Sequence, residues 1–311
     1  MSVINNDLTL DVEKTIQHAE MIIDQGCHGV AIFGSTGQAQ LISISEKINL
    51  FNQLSTSKYK EKYIIGTGLN SLSETINLIS VARSLNFKKF LIMPPAFYKY
   101  SDHNVISFYS KIIDAYPECE IVLYNFEKLC GYKFTVECVQ ELVKLFPEQI
   151  IGVKDSSYNL FENLEIDNFS ILPGSESKLL KGLELGCSGI ITATCNVTSA
   201  LARKVYDDFL TGKDQTANQK LCDVRSTFEV DRKALIAYTI TSTFVSGSKP
   251  IDYTSLPVGS DLIYQGALEY QTINTSAIGR VAYTVTQSFV TSSWASITGV
   301  NVAGSHPGSY Q

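Results

Sequence analysis

The stretch Ile150-Ile151-Gly152-Val153-Lys154-Asp155-Ser156-Ser157 puts a lysine at the end of a short apolar run. Phe146-Pro147 precedes the run and a Ser-Ser turn follows it, which fits a parallel strand buried on both faces. Lysine is rarely buried unless it is paired or chemically employed. Schiff-base formation is one such employment, because an apolar setting favours the neutral amine that attacks a ketone. A strand-end lysine reaching into water is the simpler alternative, and this stretch alone does not separate the two.

On either side of it, helical and strand periodicities alternate. Leu10, Val12, Ile16, Ala19 and Ile23 recur near a 3.6 period, with Asp11 in the N-cap region and Gly26 as terminator. Strand signals follow at 28–34, 63–68, 89–93, 120–125, 150–154, 169–174 and 189–194. Between them the spacing predicts helices near 45–54, 73–85, 102–116, 136–146 and 178–185. Units of about 25 to 35 residues repeated in this way predict an α/β fold with a parallel sheet, and a (β/α)8 TIM barrel outranks an open doubly wound sheet. Active sites of such barrels lie at the C-terminal strand ends. Gly34-Ser35-Thr36-Gly37, Tyr124-Asn125, Lys154, Gly174-Ser175-Glu176 and Ala193-Thr194 are therefore expected to converge on one mouth.

Composition narrows the partners. The chain has 311 residues, a net charge of −6 and a pI near 5.3, and no basic stripe that would neutralise phosphates, so nucleic acid is not the expected partner. A small metabolite fits better. No apolar run approaches the roughly 18 residues of a membrane span, and the first residues lack the features of a signal peptide, so a cytoplasmic location is expected. The seven cysteines include no Cys-x-x-Cys pair, and the four histidines, His18, His28, His103 and His306, lack ligand spacing. Neither a disulfide framework nor a metal site is expected.

From about residue 231 the pattern changes. Residues 1–230 carry the whole net charge, whereas 231–311 are charge-balanced, about a quarter Ser and Thr, and contain stretches such as Val281-Ala282-Tyr283-Thr284-Val285-Thr286 that alternate with a two-residue period. Two regions are expected: a barrel over 1–230, and an atypical, β-rich or poorly ordered C-terminal segment over 231–311.

At the predicted mouth, Gly34-Ser35-Thr36-Gly37 lacks the lysine of a phosphate loop but offers two hydroxyls and a glycine-flanked turn, enough to hold one carboxylate. An ordinary strand-to-helix turn is the alternative. Tyr124, ending an apolar strand, supplies a phenol able to pass protons, though strand-end tyrosines more often serve packing.

Taken together, Gly34-Ser-Thr-Gly37, Tyr124-Asn-Phe-Glu-Lys-Leu-Cys-Gly131, Gly152-Val-Lys-Asp155 and Gly186-Cys-Ser-Gly-Ile-Ile-Thr-Ala-Thr-Cys-Asn196 resemble the dihydrodipicolinate synthase/N-acetylneuraminate lyase family, in matching order from residue 5 to about 228. The resemblance implies a homotetrameric or homodimeric (β/α)8 class I aldolase that forms a Schiff base with pyruvate or another 2-oxo acid, without metal or organic cofactor. It implies Lys154 as the Schiff-base lysine and Tyr124 as the proton-relay phenol. Ser35 and Thr36 would bind the substrate carboxylate, with Thr36 also in the relay, and Gly174, Glu176 and Ala193 would line the substrate site.

Departures from the family narrow the substrate. Leu129 stands where the synthases have an arginine, and Ser175-Glu176-Ser177 and Ala193 replace residues typical of sialic acid lyases, so the similarity is best to 2-keto-3-deoxy sugar acid aldolases. Glu127 and Cys130 stand where the family has proline and Thr or Ser. The family's first strand, with its Thr-Pro-Phe-like end, is absent or reduced to Met1-Ser-Val-Ile4, and residues 231–311 do not resemble the family's closing helices. A barrel lacking a strand leaves two unpaired edges.

Overall fold

The computed structural model describes residues 1–226; the expectations for 231–311 fall outside the described residues. Its helices begin where short polar side chains satisfy their first amides. Asp11 caps α1 (Val12–Asp24), Ser43 caps α2 (Ile44–Leu54), Ser71 caps α3 (Leu72–Ser84) and Ser101 caps α4 (Asp102–Ala115), each side chain accepting from the amide three residues on. Glu46 closes a capping box at Ser43. A single turn, α5 (Glu127–Cys130), occupies the loop in which Glu127 and Cys130 depart from the family pattern, and α6 (Val136–Leu145) follows, capped by Thr135.

Between these helices lie β1 (Val30–Ile32), β2 (Tyr63–Gly66), β3 (Lys89–Ile92), β4 (Glu120–Asn125), β5 (Ile150–Asp155) and β6 (Ser170–Pro173), paired in sequence order and all parallel. Ile32, Ile65, Phe90, Ile92, Leu123 and Val153 bury their side chains in the main core with the helices. A smaller cluster gathers Leu91, Val122 and Tyr124, with Ala31, Ile64 and Leu172 packed against it, on the opposite, inner face.

One irregularity sets which residues share that inner face. Ile121 pairs with Ile150, but Val122 pairs with Gly152, so Ile151 is skipped as a bulge. Beyond it Tyr124 pairs with Lys154 and Asn125 with Asp155. Uninterrupted pairing from Ile121–Ile150 would set Tyr124 beside Val153, whose side chain belongs to the helix-facing core. The bulge therefore brings Lys154 inward, next to the phenol.

Among the described residues the strands do not close into a ring, in keeping with a barrel that lacks its first strand, but one further expected strand is missing. Residues 189–194 carry a strand signal but form no strand. Gly189 sits at φ +145°, and only Ser188 N–H to Ile171 O (3.1 Å) and Ile191 N–H to Pro173 O (3.2 Å) join the segment to β6 among the described backbone bonds. Those two bonds and the turned glycine leave the segment short of a β-ladder. Nor does Met1–Ile4 enter the sheet: Ile4 instead makes an isolated antiparallel bridge to Leu10. After α7 (Leu179–Glu184), the long α8 (Cys195–Leu210) packs on α1. Its Arg203 donates to Gly26 O at 3.0 Å, and Asn196 Oδ1 lies 2.8 Å from His18 Nε2. Two helices thus bridge the side that strands close in a complete barrel.

Candidate active site

The C-terminal ends of β1, β4 and β5 meet on the inner face. β1 ends at Ile32; Phe33 takes φ +61° and turns the chain into a one-turn helix, Ser35–Gly37. Ser35 leads that turn, and its Oγ lies 2.8 Å from the Tyr124 hydroxyl. Lys154 Nζ donates to the same hydroxyl at 2.9 Å and lies 4.0 Å from the centre of the tyrosine ring. Lys154 is 8 % exposed and Tyr124 3 %, so this Lys–Tyr–Ser chain is largely withdrawn from water at its amine end. An amine held against a phenol that also touches a hydroxyl can pass a proton along both contacts.

The chain opens onto a cavity of about 440 Å³. Ser35, Thr36 and Lys154 line it, with Ala193, Thr192 and Asn196 on the side bridged by α8. Of the residues expected at the mouth, Lys154, Tyr124 and Ser35 are brought into direct contact, and Thr36 and Ala193 share the cavity wall. The hydroxyl that reaches Tyr124 is that of Ser35, whereas the relay was expected at Thr36. Both residues stand exposed, but one residue further along a tight turn Thr36 projects in a different direction.

Gly174 and Glu176 are not among the residues lining the cavity. The Gly174 amide donates to Asp155 O at 2.9 Å, and a Cβ there would lie 2.3 Å from Ser156 Oγ, so the glycine serves a close approach of two loops. Glu176 is fully buried. Its carboxylate accepts from Thr192 Oγ1 (2.7 Å) and Thr198 Oγ1 (3.0 Å) and pairs with Arg225 Nη1 (3.2 Å). It thereby anchors the segment that forms the cavity wall.

Two residues beside the chain, Asn125 expected at the mouth and Asp155 in the lysine motif, were given no role from sequence. Asp155, fully buried, accepts from Asn125 Nδ2 (2.8 Å) and from the amides of Tyr158, Leu160 and Phe161 (2.9, 2.8 and 3.0 Å). Asn125 also donates to Asn159 Oδ1 and accepts from the Phe134 amide. This network locks the strand ends that carry Tyr124 and Lys154. The available signal was a polar residue directly after each of the two candidate residues.

Among the described residues no group of three or more His, Cys, Asp or Glu side chains is placed to hold a metal ion, and no helix is long and apolar enough to cross a membrane. A parallel strand–helix fold with a buried, phenol-contacting lysine at the strand ends is the architecture of barrel-type lyases.

Comparison with known proteins identifies the branch. The sequence profile of the dihydrodipicolinate synthetase family matches residues 1–235, and the chain belongs to that family, whose members are class I pyruvate-dependent lyases. It is 30% identical over 216 residues to an uncharacterised DapA-like lyase of Chloroflexus aurantiacus, covering 68% of this chain and 72% of the relative. A 4-hydroxy-tetrahydrodipicolinate synthase of Listeria monocytogenes is likewise 30% identical over 215 residues, covering 67% and 72%. Among solved structures, the 2-keto 3-deoxygluconate aldolase of Picrophilus torridus superposes with a TM-score of 0.65 at 19% identity, over 76% of this chain and 85% of that one. A prophage protein of the dihydrodipicolinic acid synthase family from E. coli K12, solved with pyruvate, gives a TM-score of 0.66 at 22% identity, over 87% and 95%. These structures share the fold.

Proposed function

We propose that this enzyme makes or cleaves a C–C bond between pyruvate and an aldehyde through a Schiff base on Lys154, with a 2-keto-3-deoxy sugar acid as substrate. The observation that carries the reading is the hydrogen-bonded chain from Lys154 Nζ through Tyr124 OH to Ser35 Oγ, opening onto an interior cavity. In cleavage, the neutral Lys154 amine attacks the C2 ketone and water leaves, giving an iminium. The C3–C4 bond then breaks as the C4 hydroxyl loses its proton to Tyr124, and the bonding electrons form an enamine with the iminium carbon. Protonation of the enamine at C3 and hydrolysis of the iminium return pyruvate and free lysine. As Tyr124 takes that proton it passes its own to Ser35 Oγ, which in turn gives its proton to the substrate carboxylate or to solvent, and Ser35 and Thr36 hold that carboxylate.

Leu129 and Ala193 support a sugar acid over aspartate semialdehyde or a sialic acid: the first removes the synthases' arginine and the second a lyase hydroxyl. Assembly into a homotetramer or homodimer belongs to the same proposal.

Borohydride added with pyruvate should fix a pyruvate-derived mass on the peptide containing Lys154, and 2-keto-3-deoxygluconate should be cleaved faster than N-acetylneuraminate. No adduct near neutral pH would sink the proposal; an adduct with faster aspartate semialdehyde condensation would move it to the synthase. The open sheet favours one second reading, a silent 2-oxo acid-binding barrel, whose mark is reversible pyruvate binding with neither adduct nor cleavage.

A further inference from the structure

The cavity has a second reactive feature away from Lys154. Cys27, between α1 and β1, and Cys195, the first residue of α8, both line it, and their thiols are near enough to influence one another electrostatically. Both are half-buried, so small polar molecules in the cavity can reach them. We propose that Cys27 and Cys195 form a redox-sensitive pair that hydrogen peroxide converts reversibly into an intramolecular disulfide. The inference is independent of the aldolase reading.

Geometry selects this pair. Cys27 precedes β1 and Cys195 opens the helix that bridges the sheet's open side, yet the two are brought into the same neighbourhood because Ser199, one turn on from Cys195, contacts Gln25 and Arg203, two turns on, is hydrogen-bonded to Gly26 O at 3.0 Å. The surroundings also assign the roles. The neighbouring Cys195 thiol and the Arg203 guanidinium hold the Cys27 thiol below its ordinary value, against an opposing effect of burial and Glu176. Cys195 is raised, first by the neighbouring Cys27 thiol and then by burial. Burial pushes Cys119 up to about 12 and Cys138 and Cys187 up to about 11, and it raises Cys130 and Cys222 as well. Cys27 is therefore the thiol disposed to react as thiolate, with Cys195 beside it to resolve the product.

The steps balance as follows. The Cys27 thiolate attacks one peroxide oxygen, an S–O bond forms, the O–O bond breaks, and the departing hydroxide takes up a proton as water. The Cys195 sulfur, as its proton leaves, attacks the Cys27 sulfenic sulfur. An S–S bond forms, the S–O bond breaks and a second water departs. Two thiols lose two electrons and two protons, and one peroxide becomes two waters. The product would staple the turn before β1 to α8 across the open side of the sheet.

The test uses the full chain in its native state: limiting hydrogen peroxide, alkylation of remaining thiols under denaturing conditions, and peptide mass analysis. The expected result is a Cys27 peptide linked to a Cys195 peptide, two hydrogens lighter than the sum, which dithiothreitol returns to alkylatable thiols, while the half-buried Cys222 stays alkylated. In Cys195→Ser the Cys27 sulfenic acid should persist and be captured by dimedone, several-fold more than in the unsubstituted chain. Over-oxidation of Cys27 with Cys195 still alkylatable, linkage to Cys222 instead, or a link formed only in denaturant would each overturn the proposal. The linked-peptide measurement needs no variant, so it decides the matter even if the substitution impairs folding.

Discussion

Among the described residues two lysines are buried, and their contacts give them different fates. Lys154 faces a phenol and a cavity, whereas Lys47 in α2 is fully buried, donates to Thr67 O at 3.0 Å and lies 5.9 Å from the centre of the Phe33 ring. Burial pushes the Lys47 amine from 10.5 down to about 8. Between those values the unfolded chain holds a proton that the folded chain has shed, so stability rises with pH through the window. Below about pH 8 the fold carries the charged amine at its full cost, on the order of 3 kcal/mol before any relaxation. Lys47→Met should therefore melt higher than the parent at pH 7, with the advantage shrinking toward pH 10; a pH-independent difference would refute the linkage. At the site, Tyr124→Phe should lower kcat by about 10²- to 10⁴-fold while borohydride still traps pyruvate on Lys154. Ser35→Ala should lower kcat, and Thr36→Val should chiefly raise KM for pyruvate, because Ser35 alone of the two contacts the phenol. Equal effects on both parameters in both variants would argue against that division.

Elements hold these residues in place through close approaches more than through helix or strand propensity. Gly66 lets β2 lie beside the turn after β1, since a Cβ there would stand 2.4 Å from Phe33 O. Gly174 does the same for the loops after β5 and β6. Gly174→Ala would put its Cβ 2.3 Å from Ser156 Oγ and 3.1 Å from Ser156 Cα, so backbone must shift. A loss of about 1–3 kcal/mol in denaturant unfolding is expected, and Ser156→Gly in the same chain should recover part of it. An unchanged midpoint for Gly174→Ala would show that the loops yield freely. The Asp155 network works at this scale too: three loop amides converge on one carboxylate, so the segment after β5 is held by the residue adjacent to Lys154.

At the largest scale, the enzyme family's fold is carried, among the described residues, on six paired strands, with α8 on α1 across the side they leave open. Arg203 is the principal tie: its Nη1 reaches Gly26 O, its Nε the Asp207 carboxylate at 2.8 Å, and its stem packs on Gly26. Arg203→Ala should lower the melting temperature by several degrees, on the order of 1–2 kcal/mol, and expose α1 amides to faster hydrogen exchange; unchanged exchange in α1 would mean that the bridge is held elsewhere. Much of this molecule was legible in local pattern. Six strands and their helices lie where the two periodicities put them, with Asp11 as a cap, and the motif residues Lys154, Tyr124 and Ser35 converge because parallel strands send all their C-terminal ends to one side. Such features depend on neighbours within a few residues and on a topology that alternation nearly dictates. Two outcomes needed contacts between distant segments. The strand signal at 189–194 failed because a strand requires a ladder of partners as well as composition, and among the described residues only two backbone bonds join this stretch to β6, around a glycine turned to φ +145°. The inward direction of Lys154 came from the bulge at Ile151: two-residue alternation from Ile150 would send the lysine toward the helices, and only the pairing of β5 with β4 inserts the extra residue that turns it to face Tyr124.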